Sequence, residues 1–289
     1  MSSLNVVLQG VLLGGLYALL GCGLSLMFGV MRIVNLAHGD VAVAAAFLAV
    51  LAVDRLGVSA AATLVLVVPV MAAVGYAAQR GLLNRALRMG PLAPLLVTLG
   101  AGVVLRNVLQ QAFSADSQGL QAGALSTTTV RVGNDITLPV FDLLTLATAV
   151  VVIGAVAGFL QRTALGRRVR ATADDPQTAA LTGVDPRHIY AIATGIAFAT
   201  VALAGVFVGI RSSFTPSTGP QELLFAFEAV IIGGLGSLWG TLAGGVVLGV
   251  AQTVGAHIEP SVQLLAGHVV FLIVLLLRPQ GFFAKAAIA

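Results

Sequence analysis

Residues 2–31, SSLNVVLQGVLLGGLYALLGCGLSLMFGVM, contain no charged side chain. About 20 apolar residues are enough for an α-helix to cross the ~30 Å hydrocarbon core of a bilayer. Further uncharged or nearly uncharged apolar runs follow along the chain, at 56–79, 89–105, 143–161, 189–210, 229–256 and 260–277. The chain therefore contains many stretches that are suited to lipid.

The composition excludes an ordinary soluble domain. Of 289 residues, 58% are hydrophobic and 9% are charged, whereas a soluble domain carries about 25% charged residues. Only helices or closed barrels satisfy all backbone groups in lipid. Barrel strands alternate polar and apolar residues over about 10 positions, and these runs do not alternate. We predict an all-α fold, a polytopic transmembrane helix bundle formed by one transmembrane domain over residues 1–289.

We expect about eight or nine membrane segments, with one or more broken or re-entrant helices. Val41–Val53 is short for a span and follows three polar residues, which is typical of a broken helix lining a cavity or buried in protein. The run 223–256 would make a helix of about 51 Å, too long for a single crossing. It is interrupted by glycines, and we expect two segments around a glycine turn.

Charge placement predicts the orientation, because cytoplasmic loops carry an excess of Lys and Arg. Three basic residues fall in one set of loops: Arg55, Arg131 and Arg211. Eleven fall in the alternate set: Arg32, Arg80, Arg85, Arg88, Arg162, Arg167, Arg168, Arg170, Arg187, Arg278 and Lys285. The second set is predicted to face the cytoplasm, with the N-terminus outside and the C-terminus inside. The net charge of +4 is therefore a topology signal and does not indicate nucleic-acid binding.

Two loops are long. Residues 114–141 form the predicted extracytoplasmic loop, where Thr127–Val132 favours a small hairpin. Residues 161–188 form the predicted cytoplasmic loop. In this second loop Asp174 or Asp175 can cap a short helix, Pro176 suits its first turn and Gly183 can end it. Two interpretations stay open, a solvated connector near lipid headgroups and a surface helix that binds a partner.

Polar groups within the apolar runs are candidates for function, because ionisable groups in lipid are costly. Asn35, His38 and Asp40 line a pathway at a broken helix, or, alternatively, Asp40 or Asn35 caps a helix start. Arg106 either extends to the headgroups or guides a solute carboxylate. We place Asp40 and Glu228 nearer the membrane edges than the middle.

Two further polar groups have structural interpretations. Glu228 can pair with an arginine such as Arg211, and His268 favours an interhelical hydrogen bond. Small-residue faces for close helix contact are predicted at Gly10, Gly14, Gly15, Gly244, Gly245 and Gly249. The cluster GGLGS at 233–237 lacks the Lys-Ser/Thr ending of a phosphate loop and indicates packing and a tight turn.

Several motifs in order along the chain resemble permeases in the branched-chain amino acid class of ABC importers, and particularly the H-type permeases of that class. They are GLYALLGCGLSLMFGVMRIVNLAHGD (15–40), PLAPLLVTLGAGVVLRNVLQ (91–110), GRRVRATADDPQTAALTGVDPRH (166–188), AFEAVIIGGLGSLWGTLAGGVVLGV (226–250) and LLLRPQGFF (275–283). The resemblance covers nearly the whole chain.

The resemblance implies a transport subunit in the bacterial inner membrane that moves branched-chain or related amino acids by alternating access. Its implied partners are a second homologous permease, two cytoplasmic ATPases and an extracytoplasmic solute-binding protein, besides the lipid bilayer. The chain itself would bind no cofactor or metal and have no catalytic residue, since ATP and Mg²⁺ are used by the ATPases.

The resemblance also implies site residues. ATPase coupling falls on Ala173, Asp174, Asp175, Pro176, Ala179, Ala180, Leu181 and Gly183. The small Ala179 and Ala180 would permit close approach to a groove on the ATPase. The candidate translocation pathway comprises Asn35, His38, Asp40, Thr98, Asn107, Gly233 and Gly234.

Other functions remain open at this point. The same transporter class includes importers of urea, short amides and other small polar solutes. A secondary transporter driven by ions would usually place an acid at mid-membrane. An intramembrane enzyme would need a metal-ligand spacing or a nucleophile–base set, which the four histidines do not suggest. A structural subunit without a pathway is the last alternative.

Overall fold

The computed structural model describes residues 3–121, 123, 128–132 and 136–283. Within those residues the chain forms a helical bundle with one small hairpin. The helices are α1 (Ser3–Met31), α2 (His38–Leu56), α3 (Ala60–Ala78), α4 (Ala93–Phe113), α5 (Val140–Arg162), α6 (Ala164–Asp174), α7 (Pro176–Leu181), α8 (Pro186–Arg211), α9 (Gly219–Gly233), α10 (Leu238–Ile258) and α11 (Gln263–Leu277). The strands are β1 (Thr129–Val132) and β2 (Ile136–Pro139). Helix α3 continues through a π-helical turn, Gln79–Leu83, to Ala86.

Seven helical stretches among the described residues are long and apolar enough to cross a membrane. They are Ser3–Met31, Ala60–Ala86, Ala93–Phe113, Val140–Arg162, Pro186–Arg211, Leu238–Ile258 and Pro260–Leu277. Helices α2 and α9 are two further, largely buried segments. The predicted polytopic helix bundle is confirmed, and the seven spans together with α2 and α9 are roughly consistent with the expected eight or nine segments.

Helices α1 and α8 form the centre of the bundle. In its most apolar stretch α1 is 89% buried and α8 is 78% buried, whereas the value for α11 is 11%. A central helix that is hydrophobic all round is what a core position in a large bundle requires. The long uncharged run that begins the sequence is therefore the helix around which the other segments pack.

Close contact between α1 and α10 depends on glycines, as predicted. A Cβ on Gly14 would lie 2.6 Å from the carbonyl oxygen of Gly245, and a Cβ on Gly245 would lie 2.6 Å from that of Gly14. Gly249 meets the backbone of Gly14 in the same way. Because even one methyl group would not fit, the two backbones approach as closely as small-residue membrane interfaces allow.

The run 223–256 folds as two helices, α9 and α10, around a glycine turn, which confirms the prediction. Gly234 has φ +106° and Gly236 has φ +85°. Other residues rarely adopt such positive φ values. A Cβ on Gly236 would lie 3.1 Å from Cα of Gly29, so this turn lies beside the C-terminal end of α1.

The predicted interruption near Asn35 lies between α1 and α2. Helix α2 is continuous over 19 residues and includes all of Val41–Val53, so this segment is not a half-helix. The chain turns back after Met31, and His38 Nε2 lies 2.9 Å from the carbonyl oxygen of Leu20. Helix α2 thus starts level with the middle of α1, which makes Arg32–Ala37 the re-entrant part.

The first long loop contains a hairpin, as predicted, and the second contains more helix than predicted. In 114–141, β1 and β2 pair antiparallel, with Val130 opposite Leu138. Thr127 of the predicted hairpin lies outside the described residues. In 161–188 the structure has two helices, α6 and α7, whereas we predicted one short helix within Asp174–Gly183. Because α6 is strongly amphipathic with three arginines, its helical periodicity was the missed signal.

The connectors predicted to face the cytoplasm lie at one end of the bundle. Arg80 near the end of α3 lies 3.9 Å from Asp185, which caps the start of α8. Helix α6 packs against both α1 and α8. The segment after α11 reaches the α9–α10 turn, where Phe282 N donates to the carbonyl oxygen of Ile232 at 3.0 Å. Lys285 of the predicted cytoplasmic set lies outside the described residues.

Candidate functional site

The re-entrant segment Arg32–Ala37 is held by side-chain hydrogen bonds. Asn35 Oδ1 accepts from the backbone N–H of Ala37 at 3.1 Å. The N–H of Leu36 donates to Thr98 Oγ1 of α4, also at 3.1 Å. These bonds satisfy amides that lack helical partners, as non-helical backbone at membrane depth requires. Neither Asn35 nor Asp40 caps α2, because its N-cap residue is Ala37 and no side chain caps the first turn.

His38 fixes the start of α2 to α1. Its imidazole is fully buried, and Nε2–H donates to the carbonyl oxygen of Leu20. Its Nδ1 has no hydrogen-bond partner among the described residues. A Cβ on Gly23 would lie 3.0 Å from the ring, so the glycine provides the space for the imidazole. This side chain therefore fixes the geometry at the interruption.

Asp40 and Arg106 form an ion pair inside the bundle. Arg106 Nε lies 3.2 Å from Asp40 Oδ1, and Nη2 lies 3.2 Å from Oδ2. Gly102 and Gly219 border the carboxylate, since a Cβ on Gly102 would lie 2.6 Å from Oδ2 and one on Gly219 would overlap it. Two parallel bonds fix both side chains. The sequence did not predict this ion pair, and the two roles suggested for Arg106, an extension to the headgroups and a guide for a solute carboxylate, stay predictions.

A cavity of about 790 Å³ lies between α2, α3 and α4 beside the interruption. Asn35 and Thr98 supply its polar side chains. The rest of the lining is apolar and includes Val41, Phe47, Met71, Val97, Leu105 and Phe198. A concave apolar surface with a few polar groups is the usual form of a small-molecule site. The lining suits an aliphatic group better than a fully polar solute.

The structure brings together four of the seven predicted pathway residues. Asn35, His38, Asp40 and Thr98 surround the interruption. Asn107 is exposed, and its Nδ2 donates to the carbonyl oxygen of Val103 in its own helix at 2.7 Å. It lies next to Arg106 in sequence but takes no part in the ion pair.

Gly233 and Gly234 lie elsewhere, at the α9–α10 turn. A Cβ on Gly233 would overlap the backbone of Gly240. A Cβ on Gly281 would lie 2.5 Å from Cα of Gly234. The GGLGS and RPQGF motifs therefore contact each other, and glycine serves close backbone packing at both. These two glycines do not line the cavity beside Asn35.

The acids predicted near the membrane edges lie deeper, which corrects the sequence analysis. Asp40 follows His38, which is level with Leu20 in the middle of α1. Glu228 lies in the part of α9 that packs on Gly21, whose Cβ would lie 3.3 Å from the carbonyl oxygen of Ala226. The argument against an ion-driven transporter from edge placement is therefore wrong.

The partner predicted for Glu228 is also wrong. Arg211 pairs with Asp142 of α5, and Glu228 Oε1 lies 2.6 Å from His268 Nδ1 of α11. The interhelical hydrogen bond predicted for His268 is confirmed. Both pairings join residues far apart in sequence, so only tertiary structure could assign them.

In the connector, Asp175 caps α7 at its start. Its Oδ1 accepts from the N–H groups of Gln177 at 2.9 Å and Thr178 at 3.2 Å, and its Oδ2 accepts from Thr178 Oγ1 at 2.5 Å. These hydrogen bonds, that from the Thr178 hydroxyl foremost, hold the pKa of Asp175 below its ordinary value. Pro176 occupies the first helical position, which confirms the predicted helix start.

The end of α7 is fixed by Gly183. This glycine has φ +84°, and the N–H groups of Gly183 and Val184 donate to the carbonyl oxygens of Ala180 and Ala179. This is a Schellman arrangement, which satisfies the last carbonyls of a helix. The predicted stop at Gly183 is confirmed, and α7 is thus a short rigid element with both ends capped.

The residues predicted to contact an ATPase differ in their exposure on α7. Ala179 is buried against the bundle, whereas Ala180 is exposed and Leu181 is 88% exposed. Asp174, Asp175 and Pro176 are also exposed. Ala173 is half-buried. Ala179 therefore seats α7 on its own chain, while Ala180 and Leu181 point outward.

Sequence reasoning missed a second polar group in the bundle. Tyr17, Glu222 and Gln252 are buried and line another cavity together with Arg211. The available signal was Glu222 itself, an acid that follows Pro220 and lies six residues before Glu228 in an otherwise apolar segment. Nothing in the sequence indicated that Tyr17, more than 200 positions earlier, lies beside it.

The chain is similar to known permeases. The family model described as "Branched-chain amino acid transport system / permease component" matches residues 6–278. Three similar relatives are the high-affinity branched-chain amino acid transport system permease proteins BraD of Pseudomonas aeruginosa and LivH of Escherichia coli K12, and the probable permease LivH of Methanocaldococcus jannaschii.

Each of the three relatives is similar over almost its whole length. BraD is 28% identical over 98% of this chain and 96% of its own, and LivH of E. coli is 24% identical with the same coverage. LivH of M. jannaschii is 26% identical over 96% of this chain and 91% of its own. No match to a solved structure was found.

Proposed function

The chain belongs to the branched-chain amino acid transport system permease family, and we propose that it is the permease subunit of an ATP-driven importer that moves branched-chain or related amino acids by alternating access. Seven apolar helices and the family assignment make it a multi-pass protein of the inner membrane. The family describes a permease component, so ATP hydrolysis is assigned to partner subunits and not to this chain.

The proposed assembly contains a second homologous permease, two cytoplasmic ATPases and an extracytoplasmic solute-binding protein. The family assignment supports this set of partners, because a permease component of a transport system works with other components. The family assignment also favours an ATP-driven importer over an ion-driven transporter. The depth of Asp40 and Glu228 does not distinguish these two classes of transporter.

The proposed solute is an amino acid with an aliphatic side chain. The lining of the cavity between α2, α3 and α4 supports this class over urea and short amides, because Asn35 and Thr98 are its polar side chains and the remaining surface is apolar. An apolar surface favours a branched aliphatic group through burial. It offers few partners to a solute that is polar throughout.

The observation that carries the proposed coupling role is the exposure of Leu181. Large apolar side chains that protrude from a rigid element are typical of contact sites when they fill a pocket on a partner. Leu181 is 88% exposed at the end of a helix that is capped on both sides. We assign α7 as the surface that a cytoplasmic ATPase contacts, with Ala180 leaving room for close approach.

Movement of α7 has a direct route to the centre of the bundle. Helix α7 packs against α8, and the adjoining α6 packs against both α1 and α8, the two most buried helices. Packed side chains move as rigid units and do not deform continuously. ATPase closure would therefore shift the central helices relative to their neighbours, which is the movement that alternating access needs.

The experiment is ATP-dependent uptake of labelled leucine by the assembled complex in proteoliposomes, together with co-purification of the ATPases. We expect Leu181→Glu to abolish uptake and co-purification while the chain still inserts in the membrane. Met89→Glu is the matched control, because Met89 is similarly exposed at the same end but lies outside the connector. Normal uptake and co-purification with Leu181→Glu would remove the coupling role.

A further inference from the structure

A second cavity, of about 540 Å³, lies at the other end of the bundle from α7. It is enclosed by α1, the end of α8, the start of α9, α10 and the turn before α11. Exposed residues at its mouth are Gln221, Pro260 and Ser261. Tyr17 and Gln252 lie deeper and are buried. By the predicted orientation this cavity opens toward the outside.

Glu222 brings an unpaired carboxylate to this cavity. It is 9% exposed, and across 3–121, 123, 128–132 and 136–283 no donor hydrogen-bonds to it and no basic group pairs with it. A carboxylate removed from water is costly unless it is paired. The other buried acids in the part of the chain that the structure describes both have partners: Asp40 pairs with Arg106, and Glu228 pairs with His268. Glu222 therefore has the chemistry of a receptor for a cation.

The side-chain amide of Gln252 adds a neutral hydrogen-bond donor to the cavity, and its oxygen is held by Tyr17. Its Oε1 accepts from Tyr17 Oη at 2.5 Å, which anchors the amide between α10 and α1. Its Nε2 is buried and has no partner within the described residues. Buried polar groups are nearly always hydrogen-bonded. The amide thus retains donor capacity beside the unpaired acid.

Arg211 supplies a positive group to the same cavity. It lines the cavity while one guanidinium nitrogen pairs with Asp142. A guanidinium has five N–H donors, so this ion pair leaves others available to an anion. The cavity thus carries one acid and one base on a shared surface.

Beside the polar residues Ser212, Gln221, Ser261 and Gln263, the lining has an apolar part. It includes Leu13, Leu16, Val208, Phe225 and Leu264. Such a surface gains free energy by burying an aliphatic group. Negative, positive and apolar surfaces therefore meet in one cavity, and each matches one part of an aliphatic α-amino acid.

We propose that this cavity is an outer binding site for a zwitterionic amino acid, with the ammonium at Glu222, the carboxylate at Arg211 and the side chain against Leu16 and Phe225. The solute would occupy it between release by the extracytoplasmic partner and passage through the bundle. The inference rests on the proposed function for its solute class. It assigns Glu222 as the residue that distinguishes an amino acid from the matching carboxylic acid.

The test is binding to the full chain in nanodiscs, measured by saturation-transfer NMR without ATP. The probes are L-leucine, 3-methylbutylamine, which lacks the carboxylate, and 4-methylpentanoate, which lacks the ammonium. We expect the parent to bind leucine and the amine in preference to the acid. Glu222→Gln should weaken the binding of leucine about tenfold, the effect of losing a hydrogen bond to a charged group. It should leave the binding of 4-methylpentanoate unchanged.

Two controls separate this site from general effects. Glu259→Gln makes the same chemical change at an exposed acid that does not line the cavity, and leucine binding should be unaltered. Leu264→Trp fills the cavity from its partly exposed mouth, and leucine binding should be lost although Glu222 remains. Equal leucine affinity in the parent, Glu222→Gln and Leu264→Trp overturns the inference.

Uptake by the complete complex is measured in parallel, so that the two proposals fail separately. If the parent complex takes up leucine with ATP but Glu222→Gln binds leucine like the parent, the outer site is wrong and the proposed function stands. If the parent chain binds leucine through Glu222 but the complex does not take it up, the site stands and the proposed function is wrong.

Discussion

Arg106 of α4 and Asp40 of α2 form a bidentate ion pair, with both N–O distances at 3.2 Å, although 66 positions separate them in sequence. The Asp40 side chain is 4% exposed and that of Arg106 is 31% exposed. The pair ties α4, on the outside of the bundle, to the start of α2 beside the re-entrant segment. Asp40 and Arg106 therefore fix the geometry of the chain at the re-entrant segment, besides neutralising each other's charge.

Removing one partner of this pair should destabilise the protein more than removing both. We expect Arg106→Gln or Asp40→Asn to lower the free energy of unfolding by about 2 kcal/mol, below the ~3–5 kcal/mol of a fully buried pair because Arg106 is partly exposed. The double variant should lose less than either single variant, because it leaves no buried charge unpaired. Thermal unfolding in detergent checks this, and strictly additive losses would show that the pair does not contribute.

The α1–α10 contact should not tolerate a larger residue. Gly14→Val would force the backbones apart, since even a Cβ there would lie 2.6 Å from the carbonyl oxygen of Gly245. We expect a loss of about 1–3 kcal/mol, typical of overpacking, together with poor accumulation in the membrane. Gly158→Val in α5 is the matched control, because a Cβ on Gly158 meets nothing within 4 Å. Equal melting temperatures for the two variants would contradict this packing.

The hydrogen bond between Glu228 and His268 should stabilise the contact of α9 with α11. His268→Leu leaves the buried Glu228 carboxylate without a described partner, because Oε2 already lacks one among those residues. We expect a loss of about 1–2 kcal/mol, with His268→Gln retaining most of the stability because its amide can donate. The melting temperatures of the purified variants check this. Parent-like melting of His268→Leu would contradict the role of the pair.

The cap at Asp175 should give α7 a pH dependence with a defined sign. The hydrogen bonds from Thr178 and Gln177 lower the pKa of the folded carboxyl. The cap therefore stabilises α7 fully above the ordinary pKa of an aspartate, and this contribution is lost as the pH falls through the lowered value. Hydrogen-exchange protection of the Gln177 and Thr178 amides should follow that course.

Two variants test whether the protection comes from the cap. Asp175→Ala should remove the protection at every pH, and Asp175→Asn should retain part of it without the pH dependence, since its amide oxygen still accepts. If the protection in the parent does not change between neutral and acidic pH, the carboxylate does not act as the cap.

Features that depend on neighbours in sequence could be predicted. The helical class and the number of segments follow from the uncharged runs, and the glycine turn at Gly234 follows from its residue types. The helix start at Asp175 and its stop at Gly183 are equally local, because a cap needs only a side chain and a few adjacent amides. The small faces of α1 and α10 also needed no tertiary information.

Features that depend on contacts between segments distant in sequence could not be predicted from the sequence. The depth of Asp40 could not be predicted because the chain turns back after Met31, and the depth of Glu228 depends on the packing of α9 against Gly21. The ion pairs of Arg106 and Arg211 each join two helices that are distant in sequence, and the cavity around Glu222 is lined by α1, α8, α9 and α10. The inward face of Ala179 likewise depends on how α7 packs on the rest of the chain.

The central claim is that α7 faces the cytoplasm and receives an ATPase. Leu181→Cys tests it directly, because the single native cysteine, Cys22, is buried. A membrane-impermeant maleimide is applied to intact cells and to inverted vesicles, with Ser261→Cys as the control for the predicted outer side. We predict that Cys at 181 reacts only in inverted vesicles and is protected when the ATPases are bound. Labelling at 181 in intact cells, or equal labelling with and without the ATPases, would contradict the account.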